Sequence, residues 1–196
     1  KIGVSAKSLF EIAKELMESK ITLTRMENNW LEIKQGRYQS KIVGISADEY
    51  PVFPTFEDSG FFPISGDVLR EMIDKTIFSV SNDETRYHLN GVFFEQRGNQ
   101  QYSMVATDGH RLSVIEKQFP NSDLMTKGQG VIIPRKGLNE LRKLLESAEG
   151  EFEMAIDGVQ VILRTASVVL MIRLIEGKYP NYAQFIPQQV KKKIRV

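Results

Sequence analysis

Cysteine is absent from the 196 residues of the sequence. Without cysteine the chain can form neither disulfides nor thiolate metal sites, and a cytosolic protein is favoured over a secreted one. The longest apolar runs, such as residues 167–172, fall far short of the roughly 20 residues that a membrane-spanning helix needs. We therefore expect a soluble, cytoplasmic protein.

An excess of charge of one sign is also missing, since 26 Lys and Arg face 25 Asp and Glu for a formal net charge of +1. A protein that binds phosphates over its whole surface is strongly basic, so any binding of nucleic acid must depend on the local placement of charge. One basic run, Lys191-Lys192-Lys193-Ile194-Arg195, lies at the C-terminal end, and its simplest interpretation is a solvated tail. The remaining composition is that of a globular protein.

Motifs of catalysis are lacking as well. There is no Gly-rich phosphate loop, nucleophile elbow or clustered carboxylate pair. The two histidines, His88 and His110, have no acidic spacing motif beside them, so a metal site is not favoured. Asp108-Gly109-His110 could be read as a catalytic pair, but Asp-Gly is better explained as a turn. We expect no catalytic residues, no metal and no cofactor, although a hydrolase or nuclease stays open because folding can unite distant residues.

An internal repeat is the most informative positive feature. Val4-Ser5-Ala6-Lys7-Ser8-Leu9 aligns with Ile133-Pro134-Arg135-Lys136-Gly137-Leu138. At the same separation, Glu49-Tyr50-Pro51 aligns with Lys178-Tyr179-Pro180, and a weaker third copy begins at Ile64. Two matches at one separation indicate duplication.

Each copy changes from a helical to a strand-like period. Leu9, Ile12 and Leu16 lie on one stripe of a helix, as do the leucines of residues 138–145. Three runs of alternating apolar and polar residues follow each helix, which is typical of half-buried antiparallel strands. The pattern predicts an α+β protein made of repeated β-α-β-β-β units, with antiparallel sheets and helices on one face.

The three copies also predict the domain organisation. Pairing the second and third gives one complete domain over residues 59–187. The first copy, residues 1–58, cannot cover its apolar face and sheet edges without a mate, so we interpret it as half of a domain. Residues 188–196 are expected to begin another domain.

Five motifs with compatible spacing resemble the beta sliding clamp family, the processivity subunit of bacterial DNA polymerase III. They are Tyr50-Pro51-Val52-Phe53-Pro54, Arg86-Tyr87-His88-Leu89-Asn90-Gly91, Val105-Ala106-Thr107-Asp108-Gly109-His110-Arg111-Leu112, Ile133-Pro134-Arg135-Lys136-Gly137 and Gly177-Lys178-Tyr179-Pro180-Asn181-Tyr182. The resemblance implies the DNA clamp fold, in which a subunit has three similar domains and a homodimer forms a ring. By this comparison, residues 1–58 are the C-terminal half of the first domain, 59–187 the central domain and 188–196 the start of the third.

The resemblance further implies a processivity factor that encircles duplex DNA without sequence specificity. Short peptides from the DNA polymerase III alpha subunit, the clamp loader, other polymerases and repair proteins would dock in an apolar cleft. The cleft residues implied by the motifs are Leu89, Thr107, Gly109, His110, Arg111, Leu112, Pro180, Gln184 and Phe185. The alternative is that Leu89, Leu112 and Pro180 belong to an ordinary core.

Two further surfaces follow from the same resemblance. The side chains expected to face DNA are Lys7, Tyr87, His88, Arg135 and Lys136, with Arg142 as a further candidate. The alternative is a solvated helix face on which these cations mix with Glu11, Glu15, Glu140 and Glu146. Lys34 and Arg37 are candidates for the interface that closes the ring. A sequence-specific DNA-binding module, which would present a basic recognition helix, is the second alternative function.

Overall fold

A computed structural model of the chain describes residues 1–17, 20–50, 60–125, 128–147 and 150–187. Packing divides the chain into two compact units, Lys1–Phe56 and Glu57–Val196. The predicted domain boundaries, residues 51–54 of the first motif and the basic run at 191–195 lie outside the described residues. Among the residues described, no helix combines the length and apolar character that crossing a membrane requires.

The first unit contains one β-α-β-β-β module. Its elements are β1 (Ile2–Val4), α1 (Ala6–Glu15), β2 (Thr22–Arg25), β3 (Trp30–Gln35) and β4 (Tyr38–Ser46). The four strands form an antiparallel sheet in the order β1-β4-β3-β2. The α1 helix begins after Ser5, whose Oγ accepts a hydrogen bond from the Ser8 N–H at 3.3 Å and so satisfies one of the free donors of the first turn.

The second unit contains two further modules of the same plan. The first module has β5 (Phe62–Ile64), α2 (Gly66–Asp74), β6 (Gly91–Gly98), β7 (Gln101–Thr107) and β8 (Leu112–Gln118). The second has β9 (Gly130–Pro134), α3 (Arg135–Ser147), β10 (Phe152–Ile156), β11 (Gln160–Arg164) and β12 (Val169–Arg173). The predicted α+β class and the repeated β-α-β-β-β unit are therefore confirmed.

The two modules of the second unit exchange their first strands. The sheets have the orders β8-β7-β6-β9 and β12-β11-β10-β5, with antiparallel pairing throughout. Thus β9, from the second module, pairs with β6 of the first, and β5 pairs with β10. Neither sheet can be completed by one module, and the sequence pattern did not predict this exchange.

One hydrophobic core joins the two modules. The inward stripe of α2 consists of Leu69, Met72 and Ile73, all at most 1% exposed. The inward leucines of α3 pack into the same cluster together with residues from both sheets. Close approach of α3 to its sheet requires a glycine at position 137, because a Cβ there would lie 2.3 Å from Cγ2 of Ile172. The helices therefore share one side of the paired sheets.

Element ends differ from the predicted ones where polar side chains bond to the backbone. The sequence pattern of the copy that begins at Ile64 predicts a helix over 66–77, but α2 ends at Asp74, and the buried Thr76 hydroxyl donates to the Met72 carbonyl at 2.7 Å. The sequence pattern of the same copy predicts a strand over 89–96, but β6 begins at Gly91 because Leu89 ends a 3-10 helix, Glu84–Leu89. That helix begins after Asp83, whose carboxylate accepts the Thr85 N–H at 3.0 Å. Strand propensity did not anticipate this local capping.

Candidate functional site

The outer face of β6 carries a second, smaller hydrophobic cluster. Successive side chains of a strand point to opposite faces, so Val92 and Phe94 enter the main core while Phe93, Glu95 and Arg97 lie on the other side. The buried members of this outer cluster are Leu89, Val105, Ile132, Tyr179 and Tyr182. Two of these are tyrosines from the segment that follows β12, which indicates that the segment is fixed to the sheet.

Tyr179 attaches that segment to β6 and β7. Its ring stacks on Phe93, with centroids 4.9 Å apart and an angle of 4° between the planes. Its hydroxyl oxygen accepts a hydrogen bond from the Thr107 N–H at 3.1 Å, at the end of β7. Burial raises the pKa of the Tyr179 phenol to about 12, so the phenol stays protonated at neutral pH.

Tyr182 makes the second attachment through a polar cluster. Its hydroxyl donates to Oε1 of Glu95 and accepts from Nη2 of Arg97 at 2.5 Å. The Arg97 Nε lies 3.0 Å from the same carboxylate oxygen of Glu95, and the Ser103 hydroxyl donates to it at 3.2 Å. Burial raises the pKa of the Tyr182 phenol, and the hydrogen bond to Glu95 raises it further. The hydroxyl of the buried Tyr182 therefore has a partner both as a donor and as an acceptor.

The β7–β8 turn opposite this segment is held by Asp108. Its Oδ1 accepts hydrogen bonds from the N–H groups of His110 at 2.9 Å and Arg111 at 3.0 Å, while Oδ2 lies 3.1 Å from Arg111 Nε. Thr107 closes the turn, since its hydroxyl donates to the Arg111 carbonyl at 2.7 Å. Gly109 has φ +91°, a conformation that glycine adopts at low cost. The Asp108-Gly109 pair therefore builds a turn, as predicted.

A cleft of about 450 Å³ lies between the turn and the segment. The residues that line it are Leu89, Thr107, Gly109, His110, Arg111, Leu112, Pro180, Tyr182 and Phe185. Leu89 is buried and Leu112 is half-buried above the outer cluster, whereas Phe185 at the rim is 67% exposed. The cleft thus has an apolar floor and polar groups from the turn at its edge.

This arrangement is suited to binding by burial of apolar side chains. Concave apolar sites with a few placed polar groups are the usual form of ligand sites. His110 is exposed, and Asp108 beside it bonds to backbone N–H groups through Oδ1 and to Arg111 Nε through Oδ2 rather than to the imidazole. Over the described ranges, no group of three or more His, Asp or Glu side chains is placed to hold a metal ion.

A family profile described as "DNA polymerase III beta subunit, central domain" matches residues 63–181, which is more than half of the chain. The chain belongs to this family. The matched range covers almost all of both modules of the second unit and includes Tyr179. Most of the cleft residues lie inside this range, and Tyr182 and Phe185 follow directly after it.

Named relatives of this beta subunit family agree with the match. The chain is 33% identical to the beta sliding clamp of Pseudomonas aeruginosa over 95% of its own length and 50% of that protein. It is 32% identical to the beta sliding clamp of Bacillus subtilis over 100% of its length and 51% of the relative. The chain thus spans about half the length of these relatives.

Solved structures of the family confirm the fold. The crystal structure of the DNA polymerase sliding clamp from Bacillus subtilis superposes with a TM-score of 0.82 at 30% identity, covering 96% of this chain and 49% of that one. A DnaN sliding clamp from Bartonella birtlesii bound to griselimycin gives 0.83 at 32% identity, with 95% and 50% covered. The β-α-β-β-β modules are thus those of the DNA clamp fold.

Most of the residues predicted for the cleft come together in it. Gln184 does not line the cleft and is exposed, whereas Tyr182 lines it and was not predicted. Both lie in the 3-10 helix Tyr182–Phe185, where a shift of two positions changes the direction of a side chain. Sequence reasoning missed Tyr182 because its partners, Glu95 and Arg97, are more than eighty residues away. The available signal was its place at the end of the fifth motif, Gly177-Lys178-Tyr179-Pro180-Asn181-Tyr182.

The predicted DNA-facing residues of the second unit occupy two places. Arg135 and Lys136 begin α3, where Lys136 is exposed and Arg135 Nη1 donates to the Asn82 side chain. Tyr87, 57% exposed, lies edge-on to His88 in the 3-10 helix before β6. Arg142 instead bridges the two helices, with Nε 2.8 Å from Asp74.

The remaining predicted residues lie in the first unit. Lys7 is exposed in the first turn of α1. Lys34 of β3 forms an ion pair with Glu32 at 2.7 Å, and Arg37 lies in the turn between β3 and β4. The Glu32 pKa is lowered chiefly by the hydrogen bond from Lys34.

Tyr182→Phe tests the polar attachment. We expect the free energy of unfolding of the second unit to fall by about 1–2 kcal/mol, because the largely buried Glu95 loses a donor. Hydrogen exchange at the Ile186 amide, which donates to the Ala183 carbonyl, should accelerate. Denaturant titration and exchange by NMR measure both. Tyr87→Phe removes an exposed hydroxyl as the control, and equal effects from the two variants would contradict the attachment.

Acid titration tests the turn. The N–H groups of His110 and Arg111 hold the pKa of the Asp108 carboxyl below its ordinary value of 3.8. A lowered folded-state pKa means that the carboxylate favours the folded turn above pH 3.8, and that this contribution is lost as pH falls through the lower value. We expect NMR titration to give a midpoint below 3.8, with the His110 and Arg111 amide shifts following it. Those shifts should lack this titration in Asp108→Asn, and a midpoint at or above 3.8 would contradict the assignment.

Proposed function

We propose that this chain is part of a DNA polymerase processivity factor, in which a closed ring surrounds duplex DNA and the cleft docks the enzymes that act on it. The single observation that carries the proposal is the preformed apolar cleft of a beta subunit family member, with both walls tied to one sheet. The chain itself is an accessory subunit without catalytic residues or a cofactor.

The cleft is proposed to bind short peptides. Peptide sites of this size gain most of their affinity from one or two anchoring side chains buried in a pocket, while polar rim groups fix orientation. Leu89, Leu112 and Pro180 supply the apolar surface, and the turn places the exposed His110 and Arg111 at the rim. The Bartonella birtlesii relative was solved bound to griselimycin, so ligand binding has a precedent in the family.

The proposed partners are the DNA polymerase III alpha subunit, clamp loader subunits, other polymerases and repair proteins. Each would present a short peptide, because a cleft of about 450 Å³ holds a few anchoring side chains. Binding through one short peptide also allows partners to replace one another on the same ring.

Contact with DNA is proposed to run through the helices. Arg135 and Lys136, with Lys7 of the first unit, would place positive charge near phosphates, and Tyr87 and His88 would add contacts beside them. Phosphate contacts carry no sequence information and weaken with salt, which suits a ring that must slide. The nearly balanced net charge of +1 fits an enclosure that does not hold DNA tightly.

The ring itself is proposed to be a homodimer of full-length subunits that acts in the cytoplasm. Residues 1–58 would form the C-terminal half of the first clamp domain, 59–187 the central domain and 188–196 the start of the third. Lys34 and Arg37 would lie at the interface that closes the ring. The support is the half-length match to beta sliding clamps together with the module plan.

Leu112→Asp tests the cleft. A carboxylate on the apolar floor should weaken binding of a DNA polymerase tail peptide by about 100-fold, which corresponds to roughly 2.7 kcal/mol. Isothermal titration calorimetry measures the affinity. Val114→Asp introduces the same charge two residues along β8 at a partly exposed position outside the cleft lining, and serves as the control. Unchanged affinity in a folded Leu112→Asp protein would remove the site.

Arg135→Glu combined with Lys136→Glu tests the DNA surface in a full-length ring. We expect faster loss of the ring from nicked circular DNA at low salt, with the salt slope reduced by about 2, because two phosphate contacts are lost. Gel filtration of labelled protein on DNA measures retention. Lys20→Glu with Arg173→Glu makes the same change in charge at exposed positions outside the helices. Equal retention of the two double variants would show that α3 does not face DNA.

A further inference from the structure

Residues 81–90, here called the 81–90 loop, lead into β6 and carry two kinds of predicted site residue on one short stretch of chain. Leu89 is buried and lines the cleft. Tyr87 and His88, the Tyr87–His88 pair, come directly before it in the same 3-10 helix, and their rings meet edge-on with centroids 5.7 Å apart. The cleft floor and an aromatic pair expected to face DNA are therefore adjacent in the chain.

Hydrogen bonds at its two ends close the 81–90 loop on itself. The Ser81 N–H donates to the Leu89 carbonyl at 3.0 Å, and the Asn90 N–H donates to the Tyr87 carbonyl at 3.0 Å. The Asn90 side-chain nitrogen, placed by its acceptors, donates to the carbonyl oxygens of Ser81 and Asp83, both at 3.1 Å. The opposite orientation of the amide would place its oxygen against two acceptors. Both ends of the loop thus meet at one side chain.

The middle of the 81–90 loop is fixed by the Asp83 carboxylate. Its Oδ1 accepts hydrogen bonds from the Thr85 N–H at 3.0 Å and from the Thr85 hydroxyl at 2.6 Å. Its Oδ2 accepts from Arg86 Nε at 3.0 Å. Together with the bonds at the ends, these contacts leave the loop little freedom to change its shape, so a force on one residue is passed to the others.

The 81–90 loop lies against both walls of the cleft. A Cβ built on Gly109, in the β7–β8 turn, would lie 3.0 Å from Nη1 of Arg86, so the guanidinium rests on that wall. A Cβ built on Gly177, where the chain returns after β12, would lie 3.6 Å from the Tyr87 hydroxyl oxygen. The loop therefore contacts the turn, the floor and the returning chain at once.

The same loop also contacts the start of α3. The Arg135 N–H donates to the Asn90 carbonyl at 3.0 Å, and Arg135 Nη1 donates to Oδ1 of Asn82. Arg135 is one of the cations proposed above to face DNA. A displacement of the 81–90 loop would accordingly move this guanidinium together with the Tyr87–His88 pair.

We propose that Asn90 is a positioning residue that makes the 81–90 loop one rigid link between the cleft and the DNA-facing side chains. A peptide that presses on Leu89 displaces the whole loop, and with it the Tyr87–His88 pair and the Arg135 side chain. This inference rests on the proposed function, in which the cleft binds peptides and these side chains face DNA. Because coupling between two binding sites is reciprocal, contact with DNA changes the peptide affinity of the cleft by the same factor.

NMR titration of the whole 196-residue chain with a DNA polymerase tail peptide tests the link. At saturating peptide, we expect shifts of the Leu112 methyl signals in the cleft and of the His88 ring and Arg135 side-chain signals outside it. Asn90→Asp keeps the size of the side chain but turns an acceptor toward two carbonyl oxygens, which opens the loop. The Leu112 shifts should remain, the His88 and Arg135 shifts should be largely lost, and peptide affinity should fall by about fivefold.

Asn82→Asp is the matched control. It makes the same change from amide to carboxylate in the same loop, but it keeps the acceptor for Arg135, so the shifts at His88 should persist. Asn90→Ala removes the two side-chain donors without adding charge and should reproduce the result of Asn90→Asp. This second variant also decides the question if the buried carboxylate prevents folding.

The outcomes separate the link from the proposed function. A direct effect of the nearby peptide survives substitution of Asn90, so loss of the His88 and Arg135 shifts identifies transmission through the loop. Shifts confined to Leu112 in the parent chain overturn the link and leave peptide binding in place. Shifts at His88 and Arg135 that persist unchanged in the Asn90 variants overturn it as well. Absence of the Leu112 shifts removes peptide binding itself and, with it, this inference.

Discussion

The outer face of β6 is the constraint on which the cleft depends. Strand alternation places Phe93, Glu95 and Arg97 in a row on that face, and the chain returns across them after β12. The Tyr179 ring stacks on Phe93, and the Tyr182 hydroxyl forms hydrogen bonds with Glu95 and Arg97. Because one strand holds both tyrosines, the distance between the returning segment and the β7–β8 turn is set by the sheet rather than by loop flexibility.

Strand exchange makes the two modules of the second unit interdependent. With β5 in one sheet and β9 in the other, separation of the modules would remove an edge strand from each sheet and open the shared core. The unit should therefore unfold as one cooperative body rather than module by module. In the first unit the sheet and helix are formed, but no residue of α1 is buried.

Local features of the fold were accessible from the sequence, and long-range ones were not. Helical spacing at Leu9, Ile12 and Leu16 and the Asp108-Gly109 pair depend on residues a few positions apart, so periodicity and turn chemistry predict them. The pairing of β5 with β10 joins residues almost ninety positions apart and leaves no local pattern. The Tyr182 role is hidden in the same way, since a buried tyrosine in sequence resembles any core residue. Most cleft residues came from the family resemblance rather than from periodicity.

The Asp108 turn has a consequence for the thermodynamics of recognition. Its backbone N–H groups and the Thr107 hydroxyl are already committed to hydrogen bonds within the turn, so this wall has little freedom left to lose. The entropy lost on association then falls almost wholly on the incoming molecule. Making a ligand cyclic or otherwise rigid would therefore increase its affinity for this cleft more than its affinity for a cleft whose walls must first become ordered.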